Sequence, residues 1–234
     1  MGTITHKAGR VAVGKAADVV IKNLDKDREK EILKLVDFME KYMDGEKLDV
    51  DFDSVRKKIK DKDSALNKYI NKALDEIDPG VIMTKVLKLG FEAFLNGTKT
   101  IRKMREKYNC NVPWLILMDP TSACNLHCTG CWAAEYGNRL NLTFDEMDSV
   151  VTQGKELGIY LYMFTGGEPL VRKSDIIKLC EKHNDCAFLS FTNGTLVDEA
   201  FCQEMKRVGN LYLAISLEGF EAVNDLRRGD GVYG

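Results

Sequence analysis

The sequence has no run of about 18 apolar residues, so no membrane span is expected. Its N-terminus lacks the long apolar core of a secretory leader. An excess of one charge is also missing. Lys and Arg total 34 against 36 Asp and Glu, for a formal net charge of -2. That balance gives no general electrostatic case for a nucleic-acid partner, and none is expected. Two familiar signatures fall one residue short. "MGTITH" begins like a myristoylation signal but has His6 where Ser or Thr is required. "GRVAVGKA", residues 9–16, nearly spells a phosphate-binding loop, but Ala16 stands where a hydroxyl would hold magnesium, and no convincing strand precedes it. What remains is an ordinary globular composition, 44% hydrophobic and 30% charged, in 234 residues. That is enough for one sizeable core or two small domains.

Cysteine is scarce in the first 112 residues, which hold only Cys110, and frequent afterwards. The total of seven is odd, and Cys124, Cys128 and Cys131 fall within eight positions. With no leader ahead of them, a reducing cytoplasmic setting is expected, where clustered cysteines read first as metal-binding or catalytic. Cys180, Cys186 and Cys202 lie in or beside predicted helices and read as buried small apolar residues.

Two regions are expected, 1–112 and 113–234. The first is charged and helical in rhythm, with Ile32, Val36, Met39 and Met43 at helix spacing. Turn signals at Asp44-Gly45, Asp78-Pro79-Gly80 and Asn96-Gly97 divide it into three to five helices. Residues 81–95 are amphipathic, which fits core packing better than a membrane surface. Residues 98–108 carry Lys99, Arg102, Lys103, Arg105 and Lys107 against one acid, as a solvated helix face does.

From 113 the rhythm changes. Strands are expected at 114–118, 159–164, 187–191 and 211–216. Helices are expected at 143–157, 174–183 and 198–208. Thr143 and Glu146 suit a capping box, and Gly158 and Gly209 suit helix stops. The strands are continuous apolar runs, as in strands buried on both faces. Alternation of strand and helix implies right-handed crossovers and a parallel sheet. Four strands do not finish such a sheet, and the sequence reads as the front part of a longer protein.

"DPTSACNLHCTGCWAAEYG", residues 119–137, follows the first strand with the spacing C-x3-C-x2-C. Structural zinc wants four closed ligands, usually as two pairs. Here there is one trio, with His127 as the one nearby candidate for a fourth place. A four-iron cluster instead needs one ligand per iron, so three cysteines leave one iron open to a substrate or cofactor. Gly130 lets the backbone come close to an inorganic core. "MFTGGEPL" ends the second strand with Gly166, Gly167, Glu168 and Pro169. Two glycines can present bare main-chain groups to a ligand, and proline stops the ladder. A plain strand-to-helix turn would look the same.

Taken together, the trio and GGEP in this order resemble the radical S-adenosylmethionine (radical SAM) superfamily over roughly 113–234. "FTNGT" (191–195), "ISLEG" (215–219) and "NDLRRG" (224–229) lie where that family places further ligand contacts. The resemblance implies an α/β fold, a partial TIM-like (β/α) barrel of which about four strands are present, preceded by the small helical region. It implies a [4Fe–4S] cluster on Cys124, Cys128 and Cys131, with S-adenosylmethionine on the open iron. Gly166, Gly167, Glu168 and Pro169 would receive its methionine amino group. Ser216 and Glu218 would lie near the ribose, Arg228 at the carboxylate, and Asn193 close by. Gly130 stands where the family often has an aromatic residue, with Trp132 following it.

The implied chemistry is reductive cleavage of S-adenosylmethionine to a 5'-deoxyadenosyl radical that takes hydrogen from a substrate, a peptide or protein or a small molecule. The protein orients the cofactor and excludes water. No general base is nominated. An external electron donor such as flavodoxin or ferredoxin is implied. The alternative is a non-catalytic zinc-binding or interaction module. The enzyme reading requires three thiols near enough to grip one inorganic core.

Overall fold

The computed structural model describes residues 2–23, 26–43, 50–135, 137 and 139–234. Two compact units divide the chain at 99/100.

The first unit is helical: α1 (Gly2–Asn23), α2 (Arg28–Met43), α3 (Phe52–Lys60), α4 (Ala65–Glu76), α5 (Pro79–Lys85) and a π-helical stretch, Val86–Gly97. Side-chain caps start three of them. Asp51 accepts from the Ser54 amide at 2.9 Å, Ser64 from Asn67 at 3.0 Å and Asp78 from Gly80 at 2.8 Å, with Pro79 opening α5. Val13, Phe91 and Leu95 form the unit's core, with Phe38, Met39, Phe52, Val86 and Leu87 against it. Residues 81–95 therefore pack inward, as expected. Residues 9–16 lie wholly within α1 and form no phosphate loop.

Asn96-Gly97 is not a break. The π-helical stretch passes directly into α6 (Thr98–Tyr108). Burial of Phe91, Leu95 and Gly97 holds the helical backbone where local propensity favours a turn. Asp44-Gly45 lies outside the described residues.

The second unit begins within α6, whose Ile101 is buried in that unit's core and whose Met104 packs on it. The sequence placed the change of region at 113, where the strands start. The unit then alternates: β1 (Leu115–Met118), α7 (Phe144–Glu156), β2 (Leu161–Phe164), α8 (Lys173–Lys182), β3 (Ala187–Thr192), α9 (Glu199–Val208), β4 (Leu211–Ile215) and α10 (Glu221–Arg228). The capping box forms, with the Glu146 amide on Thr143 Oγ1 at 3.2 Å and the Thr143 amide on Glu146 Oε2 at 2.7 Å. Gly209 closes α9 at φ 67°, and its amide reaches the Met205 carbonyl at 2.9 Å.

The strands are parallel, in the order β1-β2-β3-β4. Ile116, Tyr162, Phe188 and Leu211, and the next row of Met118, Phe164, Ser190 and Leu213, share one face. The apolar members of these rows join Met147 and Val151 of α7, Ile176 and Leu179 of α8, and Phe201 of α9 in one cluster. Phe188 stacks on Tyr162 and Phe164, with ring centroids 5.6 and 5.7 Å away. The opposite face, carrying Leu117, Met163, Leu189 and Phe191, is only half-covered: Leu117 is 52% and Phe191 39% exposed. Two-sided burial is thus corrected. Helices cover one face of a sheet whose strands follow sequence order, the arrangement of a partial β/α barrel. Cys180 and Cys186 are buried as expected, whereas Cys202 is exposed on α9.

Candidate functional site

The site is built where the four strands end. In parallel α/β folds this edge collects the loops, because every crossover returns to the opposite edge.

The cysteine loop leaves β1 and runs alongside the exit of β2. The Thr165 amide donates to the Met118 carbonyl at 3.0 Å, Gly167 to Thr121 at 3.0 Å and Glu168 to Ala123 at 2.8 Å. The ladder between β1 and β2 therefore continues past both strands. Only glycine permits this approach. A Cβ on Gly166, which sits at φ 107°, would fall 2.7 Å from the Thr121 carbonyl oxygen. A Cβ on Gly167 would fall 2.1 Å from that of Ala123. Sequence reasoning gave these glycines to a ligand. In the structure they bring the GGEP turn against the cysteine loop, and the Gly167 and Glu168 amides are engaged there.

Glu168 is 2% exposed. Its Oε1 accepts from the Leu170 amide at 3.0 Å and the Thr192 hydroxyl at 2.7 Å; its Oε2 accepts from the Asn193 amide at 2.8 Å. The side chain is a strut between the exits of β2 and β3. Pro169, also buried, opens the short 3₁₀ turn Pro169–Arg172.

Asn193 belongs to a closed ring of side-chain hydrogen bonds. Its Nδ2 donates to Asn125 Oδ1 at 2.9 Å, Asn125 Nδ2 donates to Thr195 Oγ1 at 2.7 Å, and the Thr195 hydroxyl donates to Asn193 Oδ1 at 2.7 Å. Asn125 sits between the first two cysteines. No motif pointed to it, since its partners lie 68 and 70 residues away.

At β4 the Ser216 amide meets the Thr192 carbonyl at 2.9 Å. Glu218 accepts from Arg227 Nη1 at 2.8 Å and Arg228 Nη2 at 2.6 Å. Arg228 first, and then Arg227, hold the Glu218 carboxyl below the usual range against the opposing effect of burial. Arg228 Nε is buried without a hydrogen-bond partner among the described residues. Asn224, buried on α10, accepts from the Glu218 amide at 3.3 Å. The Thr129 amide, next to Cys128, donates to the Arg227 carbonyl at 2.8 Å. The cysteine loop is thus tied to the exits of β2 and β3 and to α10.

The three cysteines are unpaired and half-buried. The Leu126 amide reaches Cys124 Sγ at 3.5 Å. Burial pushes the Cys124 thiol up. That amide opposes it, while negative charge on Glu168, Cys128 and Cys131 adds to the rise. Among the described residues, no three Cys, His, Asp or Glu side chains close on a single ion. Zinc holds its sulfurs at about 2.3 Å from one ion, and His127 is exposed. A four-iron cluster takes one thiolate per iron at separate corners, so its cysteines stand farther apart. The donor set fits that group: three thiols on one loop whose amides and glycines allow close approach. Beside the loop lies a cavity of about 540 Å³ lined by Asp119, Trp132, Arg139, Leu142, Gly166 and Gly167, among others.

The sequence profile of the Radical SAM superfamily matches residues 118–233. Through these residues the chain belongs to the radical SAM superfamily. It is 31% identical over 121 residues to Fe-coproporphyrin III synthase of Methanosarcina barkeri (strain Fusaro / DSM 804), covering 49% of this chain and 30% of that one. It is 29% identical over 114 residues to PqqA peptide cyclase of Bradyrhizobium diazoefficiens, covering 47% of this chain and 30% of that one. The crystal structure of Streptococcus suis SuiB bound to S-adenosylmethionine aligns at 18% identity and a TM-score of 0.49, over 72% of this chain and 41% of that one. The match spans less than a third of either curated relative's length. This radical SAM chain has no helix, among its described residues, long and apolar enough to cross a membrane.

Proposed function

We propose that residues 100–234 carry part of a radical SAM catalytic core, with Cys124, Cys128 and Cys131 holding a [4Fe–4S] cluster and the neighbouring strand ends holding S-adenosylmethionine. The observation that carries this reading is the cysteine loop itself. Three thiols without a fourth cysteine sit on a loop bonded through its main chain to the GGEP turn. Held there, the cluster would supply the electron for reductive cleavage of S-adenosylmethionine to methionine and a 5'-deoxyadenosyl radical, which would take hydrogen from a substrate.

The chain's own residues bind and orient. Glu168 keeps the exits of β2 and β3 together, so that Gly166 to Pro169 offer a fixed edge to the methionine amino group. Arg228 would meet the methionine carboxylate; its Nη2 is held by Glu218, and its buried Nε–H is the donor left over among the described residues. Ser216 and Glu218 would lie near the ribose, and Asn193 would contribute through its loop, its side-chain amide being engaged in the ring with Asn125. The half-open sheet face carrying Leu117, Met163 and Phe191 excludes water once covered. The electron comes from an external donor such as flavodoxin or ferredoxin in a reducing cytoplasm.

The two relatives named above are a synthase of a coproporphyrin and a cyclase of a peptide. A peptide or protein substrate is the reading retained, with a small molecule as the other outcome of substrate screening. The test is anaerobic loading with iron and sulfide, then dithionite and S-adenosylmethionine. A brown protein that releases 5'-deoxyadenosine is expected. One bound zinc, with neither iron nor sulfide taken up, would overturn the reading.

A further inference from the structure

We infer that Asn125 is a positioning residue that hooks the cysteine loop onto the turn after β3 and so sets the span from Cys124 to Cys128. The inference rests on the cluster reading for its purpose, but its geometry stands apart from it.

The ring of Asn125, Thr195 and Asn193 runs head to tail: each side chain donates one of its three hydrogen bonds, all between 2.7 and 2.9 Å, and accepts another. Bonds in such a cycle polarise one another, so the ring acts as a unit. Its far side is rigid. The Asn193 amide rests on buried Glu168, the Thr195 amide donates to Asn193 Oδ1 at 3.0 Å, and the Gly194 amide donates to Thr192 Oγ1 at 3.0 Å. The near side is a loop. Ahead of Cys124 it is held by Ala123, and after Cys128 by Thr129. Between those two main-chain ties, Asn125 supplies a side-chain attachment to another element. Exposed Asn and Thr have no reason of burial to close a ring across 70 residues. Holding the two thiols in register is a reason.

The test uses the whole chain. In metal-free protein, hydrogen exchange across 124–131 is compared for wild type, Asn125→Ala and Thr195→Val. Loss of the ring is expected to speed exchange there about three- to tenfold, with the melting temperature unchanged. After anaerobic loading, iron loss to a chelator is expected to rise by a similar factor, while Asn125→Asp restores retention. Aspartate still accepts from Asn193 Nδ2, the Thr195 hydroxyl turns from Asn193 Oδ1 to donate to the new oxygen, and the added charge lowers the cluster's reduction potential. That potential shift is a readout that loop stability alone does not move. Should Asn125→Ala fail to fold, Thr195→Val carries the test from the other side of the ring. Unchanged exchange in both variants would overturn the inference. Wild-type protein that takes up no iron would instead overturn the cluster reading, and the exchange arm would still decide whether the hook exists.

Discussion

Glu168 and Thr192 meet at 2.7 Å inside the protein, 24 residues apart in sequence, each only 2% exposed. This carboxylate is the joint between the second and third strand exits, for it also takes the Leu170 and Asn193 amides. Replacing Glu168 with Ala leaves a buried amide, a half-buried amide and a buried hydroxyl without their acceptor. A loss of about 2–4 kcal/mol in denaturant unfolding is expected, with Gln intermediate. An alanine variant as stable as wild type would remove the strut from the account.

Gly167→Ala tests the close approach of the two loops. Its Cβ would stand 2.1 Å from the Ala123 oxygen and 2.6 Å from that of Ser122, both main-chain atoms that cannot swing aside. A cost of about 1–3 kcal/mol is expected, together with lower iron content per chain after loading. Gly14→Ala is the control of opposite sign. It lies within α1, and its Cβ would meet Leu87 at 3.6 Å, an ordinary contact. There stability rises by up to about 1 kcal/mol. Calorimetry on both variants checks the pair of signs.

Gly154 on α7 tests the packing beneath the site. Its Cβ would approach Tyr162 Oη to 2.3 Å, where the hydroxyl bonds to the Ile159 carbonyl at 2.9 Å. Gly154→Ala is expected to destabilise by about 1–3 kcal/mol. Tyr162→Phe removes the clashing oxygen, so the double variant should lose less than the two single losses added together. Strict additivity would show that the two positions do not meet.

Glu218 sets an acid dependence. Its folded carboxyl is held below the ordinary 4.5, chiefly by Arg228. A depressed carboxyl contributes stability that is present above its unfolded value and lost as pH falls through its folded one. The link between β4 and α10 should therefore be unchanged from neutral pH down to about 4.5 and weaken below it. Glu218→Gln should flatten that acid limb in a titration of melting temperature against pH. An identical limb in the variant would assign the acid sensitivity to other groups.

Much of this was legible in residue order. The β/α alternation shows in period and punctuation: the capping box at Thr143 and Glu146 and the stop at Gly209 depend on neighbours within four residues, and both formed where the sequence placed them. The cysteine trio and GGEP were legible too, because spacing within a single loop is a local property. The run through Asn96-Gly97 was not, since burial of Phe91 and Leu95 overrides the local preference for a turn.

The sequence by itself determined the strand–helix alternation from β1 to β4, the parallel sheet and the spacing of the three thiols, because each is written in local period, caps and spacing. Tertiary structure alone decided which sheet face the helices cover, why Gly167 must be glycine, and that Glu168 and Asn125 reach the third strand's exit. Those facts depend on contacts between chain segments 24 to 70 residues apart, where hydrogen bonding and close approach are settled by how the strand ends assemble.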